Sequence, residues 1–159
     1  MSRQTIIDLA HEEVKNFTPP PNGELNKYLL WFGFRTPEEW CGVWCCWIYN
    51  QAGYPIEPIG YSRGFAGLDT ALEYWTKNDK LTKDPLPGDL VIFSWHANGQ
   101  PDHIGIFEKF INATTIQTID GNTSLINQSN GGHVILKERN TSLVLCYVNP
   151  KGLPPDQNV

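Results

Sequence analysis

The sequence has no run of lysine or arginine and no long apolar segment. Its 159 residues carry a formal net charge of −5, with scattered positive charges and a pI near 5.3. This balance argues against binding to nucleic acid or to an anionic membrane, because both attract basic patches. No stretch approaches the roughly 20 apolar residues of a membrane helix, and the N-terminus lacks the apolar core of a secretory signal. We expect a monomer made in a cytoplasm, with no membrane span, export signal or nucleic-acid partner.

The sequence also lacks the cysteine spacings that staple small secreted domains or bind zinc. Its four cysteines occupy positions 41, 45, 46 and 146, so three are bunched and no Cys-x-x-Cys pair is present. A structural zinc site usually combines such a pair with a second matching pair of ligands. We interpret the thiols as reduced and expect neither a metal nor another cofactor.

What the sequence does contain is a helical first half and a strand-rich second half. Apolar residues every three or four positions, or on all sides, predict helices over residues 5–17, 25–32, 40–52 and 65–77. Apolar segments bounded by turn residues predict strands over residues 90–95, 103–110, 114–119, 133–137 and 143–148. This order indicates an α+β fold, with N-terminal helices packed on an antiparallel sheet of about five strands. We predict one domain over residues 1–150 and a loose polar tail over residues 151–159.

Among the clustered cysteines, only Cys41 stands at the predicted start of the buried helix. A helix N-terminus favours the nucleophilic thiolate, because its N–H groups lack intrahelical acceptors and carry partial positive charge. The N–H of Cys41 can likewise donate to an oxyanion. We interpret Gly42 as allowing a substrate chain to approach the backbone. Cys45 and Cys46 lie deeper in the helix and are interpreted as core residues.

His103 is the best placed of the four histidines to act as a general base. It opens an apolar strand directly after a hairpin signal at Asn98-Gly99, which fixes its backbone, and Gly105 leaves the same face open. The other three have simpler interpretations as solvated, loop or strand-edge residues: His11, His96 and His133.

A catalytic histidine needs an acceptor that holds its ring and its tautomer. If residues 114–120 pair with residues 103–110 through the turn at Asn112-Ala113, either Asp120 or Asn122 lies opposite His103. The alternative is that Asp120-Gly121-Asn122 forms only a turn, since these residue types are common in turns. The pairing register favours the functional interpretation.

Four segments together match the pattern of a known family. They are Trp40-Cys41-Gly42, Pro87-Gly88-Asp89, Asp102-His103-Ile104-Gly105-Ile106 and Ile119-Asp120-Gly121-Asn122. In this order, within a resemblance over about residues 5–148, they are similar to the motifs of CHAP domains. These domains are the amidase and endopeptidase modules of the wider papain-like NlpC/P60 group. The segment from Asn26 to Gly33 further resembles the lead-in of phage endolysin CHAP domains.

The resemblance implies a papain-like NlpC/P60 core and cleavage of an amide in bacterial peptidoglycan. It implies Cys41 as nucleophile, His103 as base and Asp120 as the third member, with Asn122 assisting. Asp120 stands where the family commonly has Glu, and because Asp is one methylene shorter, Asn122 is the alternative that orients the ring. Some CHAP lysins carry an Asp-x-Asp calcium loop before the nucleophile. No such pair precedes Cys41, so we expect no calcium site.

By the same resemblance we expect a phage endolysin, made in the host cytoplasm and acting on the bacterial cell wall. Tyr28, Trp40 and Tyr61 are candidates for binding substrate, with core packing as the alternative for Trp40. Two other functions compete. One is a related cysteine hydrolase or antibacterial effector that acts on another amide, and the other is a catalytically inactive wall-binding module.

Overall fold

Four helices precede one antiparallel sheet in the computed structural model, which describes residues 2–21, 25–127 and 130–157. Over those residues the helices are α1 (Arg3–Asn16), α2 (Lys27–Phe32), α3 (Cys41–Gln51) and α4 (Leu68–Lys77). The strands are β1 (Leu81–Thr82), β2 (Leu90–Phe93), β3 (His103–Asn112), β4 (Thr115–Thr123), β5 (His133–Asn140) and β6 (Val144–Val148). The sheet order is β1-β6-β2-β3-β4-β5, so the predicted α+β class is confirmed. None of the described helices is long and apolar enough to cross a membrane.

The predicted elements agree with the structure at their centres and differ at their ends. Strand β4 continues through Asp120-Gly121-Asn122 as far as Thr123, because β5 pairs with it across a register shift between Asp120 and Thr123. The interpretation of these three residues as only a turn is therefore wrong. Strand β5 likewise runs on to Asn140, three residues beyond the predicted end. The two-residue strand β1, which pairs with β6, is too short to show alternation in the sequence.

The largest core lies where α3 packs against the sheet. Helix α3 is apolar on every side because α1 and α2 as well as strands β3 and β4 pack around it. Its Trp44 and Ile48 have no exposed surface, and Ile104 and Ile106 of β3 join them in one cluster. Burying such side chains contributes about 1.5 to 3 kcal/mol each, so α3 is fixed firmly on β3. The start of α3 is thereby held at the start of β3.

The C-terminal segment is hydrogen-bonded to the start of α1. Arg3 donates to the backbone carbonyls of Leu153 and Pro154. The carboxylate of Asp156 accepts the backbone N–H groups of Arg3 and Gln4, each at 2.9 Å. An acidic side chain is favoured at this position, because the first N–H groups of a helix lack intrahelical acceptors. The segment expected to be loose is therefore attached to the domain as far as Asp156.

Candidate active site

Cys41 is the first residue of α3, as predicted for a thiol at a helix start. The first backbone bond of the helix runs from the Trp44 N–H to the Trp40 carbonyl at 2.9 Å, and the Trp40 side chain provides no cap. The N–H of Cys41 therefore precedes the intrahelical bonds, as first-turn N–H groups do.

The three thiols of α3 differ in exposure. Cys41 retains 9% of its surface, whereas Cys45 and Cys46 have none. Burial and the neighbouring Cys41 raise the pKa of the Cys45 thiol well above its ordinary value, and burial raises the pKa of Cys46 to about 12. Both therefore remain protonated at neutral pH, in agreement with their interpretation as core residues.

His103 is the first residue of β3 and is fully buried beside Asp120 and Cys41. Its Nε2 is 3.1 Å from Oδ2 of Asp120. Its Nδ1 is also buried and has no hydrogen-bond partner among the described residues. Burial lowers the pKa of His103, but Asp120 and the nearby Cys41 outweigh it and raise the pKa to about 9. With Nε2 engaged by the carboxylate, Nδ1 is the ring nitrogen left to exchange a proton with the thiol.

Gly105 makes the room that the Asp120 carboxylate occupies. It lies two residues after His103, so the two share a face of β3. A Cβ atom built on Gly105 would lie 2.1 Å from Oδ1 of Asp120, far inside any real contact. The open face predicted at Gly105 is therefore filled by the carboxylate that reaches His103.

Arg139 of β5 binds the same carboxylate and was not predicted. Its Nε is 3.1 Å from Oδ2 of Asp120, and its Nη2 also donates to that oxygen. Burial raises the pKa of Asp120, but Arg139 and His103 outweigh it and lower the pKa to about 2. No sequence signal pointed to this contact, because Lys137-Glu138-Arg139-Asn140 is typical of an exposed strand end and the predicted strand stopped at Lys137.

Two aromatic rings pack against both cationic side chains. The ring centroids of Phe93 and Trp95 lie 6.1 and 5.7 Å from that of His103. The Arg139 guanidinium lies 5.1 Å from the Phe93 centroid and 5.0 Å from that of Trp95. The carboxylate of Asp102 accepts the backbone N–H of Trp95 at 2.7 Å, so the residue before His103 helps to fix the position of Trp95.

Asn122 contacts a neighbouring loop. Its Nδ2 donates to Oδ1 of Asn130 at 2.9 Å, and its Oδ1 accepts the Gly132 N–H at 3.3 Å. The backbone of Asn122 has a φ of 54°, a conformation that Asn adopts more readily than most residues. Of the two predicted partners, the structure thus brings Asp120 to His103, while Asn122 fixes the loop beside them.

A cleft of about 560 Å³ reaches the residue before the thiol, although Cys41, His103 and Asp120 are not among its lining residues. Trp40, directly before Cys41, and Asn122 form part of its wall. Polar residues around it include Glu38, Glu39 and His133. The cleft therefore combines the Trp40 ring with hydrogen-bonding groups.

The three predicted substrate-binding residues lie in different surroundings. Tyr28 is fully buried; its hydroxyl donates to the Glu13 carboxylate, and its ring stacks on Trp40 with centroids 5.5 Å apart. Tyr28 therefore supports Trp40 and presents no surface to a substrate. Trp40 lines the cleft, whereas Tyr61 is 45% exposed and packs against Phe32 at 5.1 Å.

Gly42 allows the Phe65 ring to pack against α3. The prediction that it lets a substrate chain approach the backbone is not supported by this packing. Gly42 is buried, and a Cβ atom built on it would lie 2.6 Å from the ring of Phe65. A side chain at this position would therefore displace Phe65 from α3, and the backbone here is not open to a ligand.

The remaining histidines lie apart from the Cys41–His103 cluster. His11 is 2.6 Å from the Glu108 carboxylate, His96 is exposed in the loop after β2, and His133 lines the cleft. Among residues 2–21, 25–127 and 130–157, no group of three or more His, Cys, Asp and Glu side chains is arranged to hold a metal ion.

Comparison with known proteins identifies one family. The family model for the CHAP domain matches residues 32–122, more than half of the chain. The matched span contains Cys41, His103 and Asp120 and ends before Arg139. No curated protein and no solved structure matches the chain.

Proposed function

The chain belongs to the CHAP domain family, and we propose that it hydrolyses an amide bond of bacterial peptidoglycan with Cys41 as the nucleophile. CHAP domains are generally amidase or peptidase hydrolases. The observation that carries the proposal is the placement of Cys41, which retains 9% of its surface, at a helix start beside a buried histidine that a carboxylate holds by Nε2. A nucleophile, a base and an orienting group in this order are the parts that cysteine hydrolases require.

The first half of the reaction forms a thioester. His103 Nδ1 takes the thiol proton, and the Cys41 sulfur attacks the carbonyl carbon of the amide. The Cys41 N–H donates to the oxyanion that develops, which stabilises the tetrahedral intermediate. His103 then returns the proton to the nitrogen, the C–N bond breaks, and the amine leaves.

The second half regenerates the thiol. His103 takes a proton from water, the hydroxide attacks the thioester carbonyl, and the C–S bond breaks. His103 then returns the proton to the sulfur, and the new carboxylic acid loses its proton to solvent. The products are a free carboxylate on the substrate and the Cys41 thiol. Throughout, Asp120 accepts the Nε2–H of His103 and stabilises the imidazolium, so Nδ1 stays directed at the sulfur.

The physiological role we propose is that of a phage endolysin. The support for it is the resemblance of the segment from Asn26 to Gly33 to the lead-in of endolysin CHAP domains. We expect intact cells to lyse only when their membrane is permeabilised, and lysis should require Cys41. Turbidity of cells with and without a permeabilising agent measures this requirement.

Digestion of purified walls tests the activity. Wild type should release soluble fragments from walls of at least one of several species, with new amino and carboxyl termini identified by mass spectrometry. Cys41→Ala should release none. Cys45→Ala is the matched control, since it removes a thiol of the same helix that is buried and unreactive; it should retain the activity.

The competing functions give different results in the same assay. An inactive wall-binding module would sediment with walls and release nothing in any variant. A hydrolase of another amide would leave all walls intact while its Cys41 still reacts selectively with iodoacetamide near neutral pH. Fragments released equally by Cys41→Ala would contradict the role of Cys41 as nucleophile.

A further inference from the structure

The hydrogen bonds that the site makes to Asp120 converge on one oxygen. His103 Nε2 and Arg139 Nε each lie 3.1 Å from Oδ2, and Arg139 Nη2 joins them there. Asp120 and His103 have no exposed surface, and Arg139 retains 3%. Burial disfavours the ionised carboxylate, and Arg139 and His103 both oppose that effect.

Arg139 reaches this oxygen from a distance along the sheet. Its backbone pairs with Ile116, four residues before Asp120 on β4. The side chain must therefore extend along the strand, and the rings of Phe93 and Trp95 cover it at 5.1 and 5.0 Å. The same two rings flank His103, so guanidinium and imidazole are fixed against one aromatic surface.

We propose that Arg139 is a positioning residue of the catalytic site, which clamps the Asp120 carboxylate and thereby holds the His103 ring against Cys41. This role of Arg139 in catalysis rests on the proposed function. The residue lies beyond the span that matches the CHAP family model. Arg139 and Gly105 together explain how the short Asp120 side chain can hold the histidine, because Gly105 clears the space and Arg139 fixes the carboxylate in it.

The charges around the site predict what loss of Arg139 does. Among the described residues, the titratable and charged groups that interact with His103, Asp120 or Arg139 include Cys41, Cys45 and Lys137. Thiolate, imidazolium, carboxylate and guanidinium sum to zero charge in the active form. Without Arg139 the buried site carries a net negative charge, which burial penalises, and the thiolate forms only at higher pH. Loosening of the Asp120–His103 pair acts in the same direction.

The rate of Cys41 alkylation by iodoacetamide, measured against pH and located by peptide mass mapping, tests the proposal without any wall substrate. Arg139→Met should move the midpoint up by about one pH unit, a roughly tenfold slower reaction below it. Arg139→Lys keeps the charge and loses the planar fork, so it should shift the midpoint less, in the same direction.

Arg3→Met is the matched control, because Arg3 forms a buried ion pair with Asp89 away from Cys41, with Nη1 to Oδ1 at 2.7 Å. It should lower the melting temperature and leave the midpoint unchanged. If Arg139→Met fails to fold, Cys45 and Cys46 will also react, and Arg139→Lys then decides. A wild-type midpoint in the folded Arg139 variant, or an equal shift in Arg3→Met, overturns the proposal.

The same profile separates this inference from the proposed function. If wild-type Cys41 reacts no faster than Cys146 near neutral pH, the proposed cysteine chemistry fails, and the positioning role fails with it. If wild-type Cys41 reacts selectively and Arg139→Met matches it, only the role of Arg139 is refuted.

Discussion

Two buried arginine–aspartate pairs occur in the part of the chain that the structure describes, Arg3–Asp89 and Arg139–Asp120, and their surroundings differ. Asp89 accepts the Arg3 Nη1 at 2.7 Å and the Leu86 N–H at 2.8 Å, in the turn that leads into β2. Asp120 accepts from Arg139 and from His103. Asp89 thus has one cation and a backbone group as partners, whereas Asp120 lies between two cationic side chains.

This difference shifts the pKa of the two carboxylates in opposite directions. Burial raises the pKa of Asp89, and its partners only reduce the increase. Burial also raises the pKa of Asp120, but two cations reverse the shift and lower the pKa to about 2. Arg3–Asp89 therefore links α1 to the turn before β2, whereas Arg139–Asp120 holds a negative charge beside His103.

The largest expected difference between the pairs is in catalysis. Asp120→Asn should reduce wall hydrolysis by about 10² to 10⁴-fold, because an amide neither stabilises the imidazolium nor enforces the tautomer. Asp89→Asn should leave the rate per folded molecule within about twofold, since this pair contacts no reacting group. Initial rates of fragment release, corrected for folded fraction, measure both. Equal losses in the two variants would remove the functional distinction.

The Arg3–Asp89 pair should contribute to the free energy of unfolding, although it does not contribute to catalysis. Asp89→Asn leaves Arg3 buried without its charge partner, and we expect a loss of about 3 to 5 kcal/mol in the free energy of unfolding. The double variant Asp89→Asn/Arg3→Met should recover part of this loss, because it removes the uncompensated charge. Urea unfolding of wild type, Asp89→Asn, Arg3→Met and the double variant gives the coupling energy. Additive losses would show that the pair is not coupled.

The two pairs should also differ in pH dependence, because only Asp120 has a histidine as a further partner. His103 has its pKa raised from 6.5 to about 9. Its stabilisation is therefore complete below about pH 6.5 and lost as the pH rises through 9, about 3 kcal/mol at most. The stability difference between wild type and His103→Asn should shrink from pH 6 to pH 9.5. The decrement caused by Arg3→Met should stay constant, and a parallel decline would contradict the assignment.

The smallest effects are expected at the glycines next to these pairs, which are Gly105, packed against Asp120, and Gly88, directly before Asp89. Gly105→Ala places a Cβ 2.1 Å from Asp120 Oδ1 and should cost about 1 to 3 kcal/mol while lowering the hydrolysis rate. Gly88 has a φ of 92°, so Gly88→Ala should cost about 1 to 2 kcal/mol through backbone strain, without a change in rate. Thermal unfolding and initial rates separate the two. A rate loss in Gly88→Ala alone would reverse the comparison.

The sequence predicted the parts of the site that depend on local chemistry. Cys41 follows from its place at a helix start, and His103 from its place at the start of a strand after a hairpin signal. The loop between β2 and β3 is longer than a tight hairpin, yet Asp102 N–H bonds to the Phe93 carbonyl at 2.8 Å and closes it. Their roles in catalysis stay predictions until the variants are measured.

The parts that the sequence did not predict depend on packing between distant elements. Gly42 was interpreted from its own small size, but the Phe65 ring determines why it must be small. Arg139 was missed because a polar strand end gives no sign of a carboxylate several residues away on the neighbouring strand. The choice between Asp120 and Asn122 depended on a register shift, which the alternation of residues does not reveal.

The contacts of Arg3 with Leu153 and Pro154 have a consequence for the order of events during synthesis. Helix α1 leaves the ribosome early, whereas its partners are made about 150 residues later, which takes roughly 8 to 30 s at ordinary elongation rates. During that interval the Arg3 guanidinium lacks these two acceptors, and α1 cannot acquire its complete native environment. The contact between Arg3 and these two carbonyls therefore cannot form until residues 153 and 154 have emerged from the ribosome.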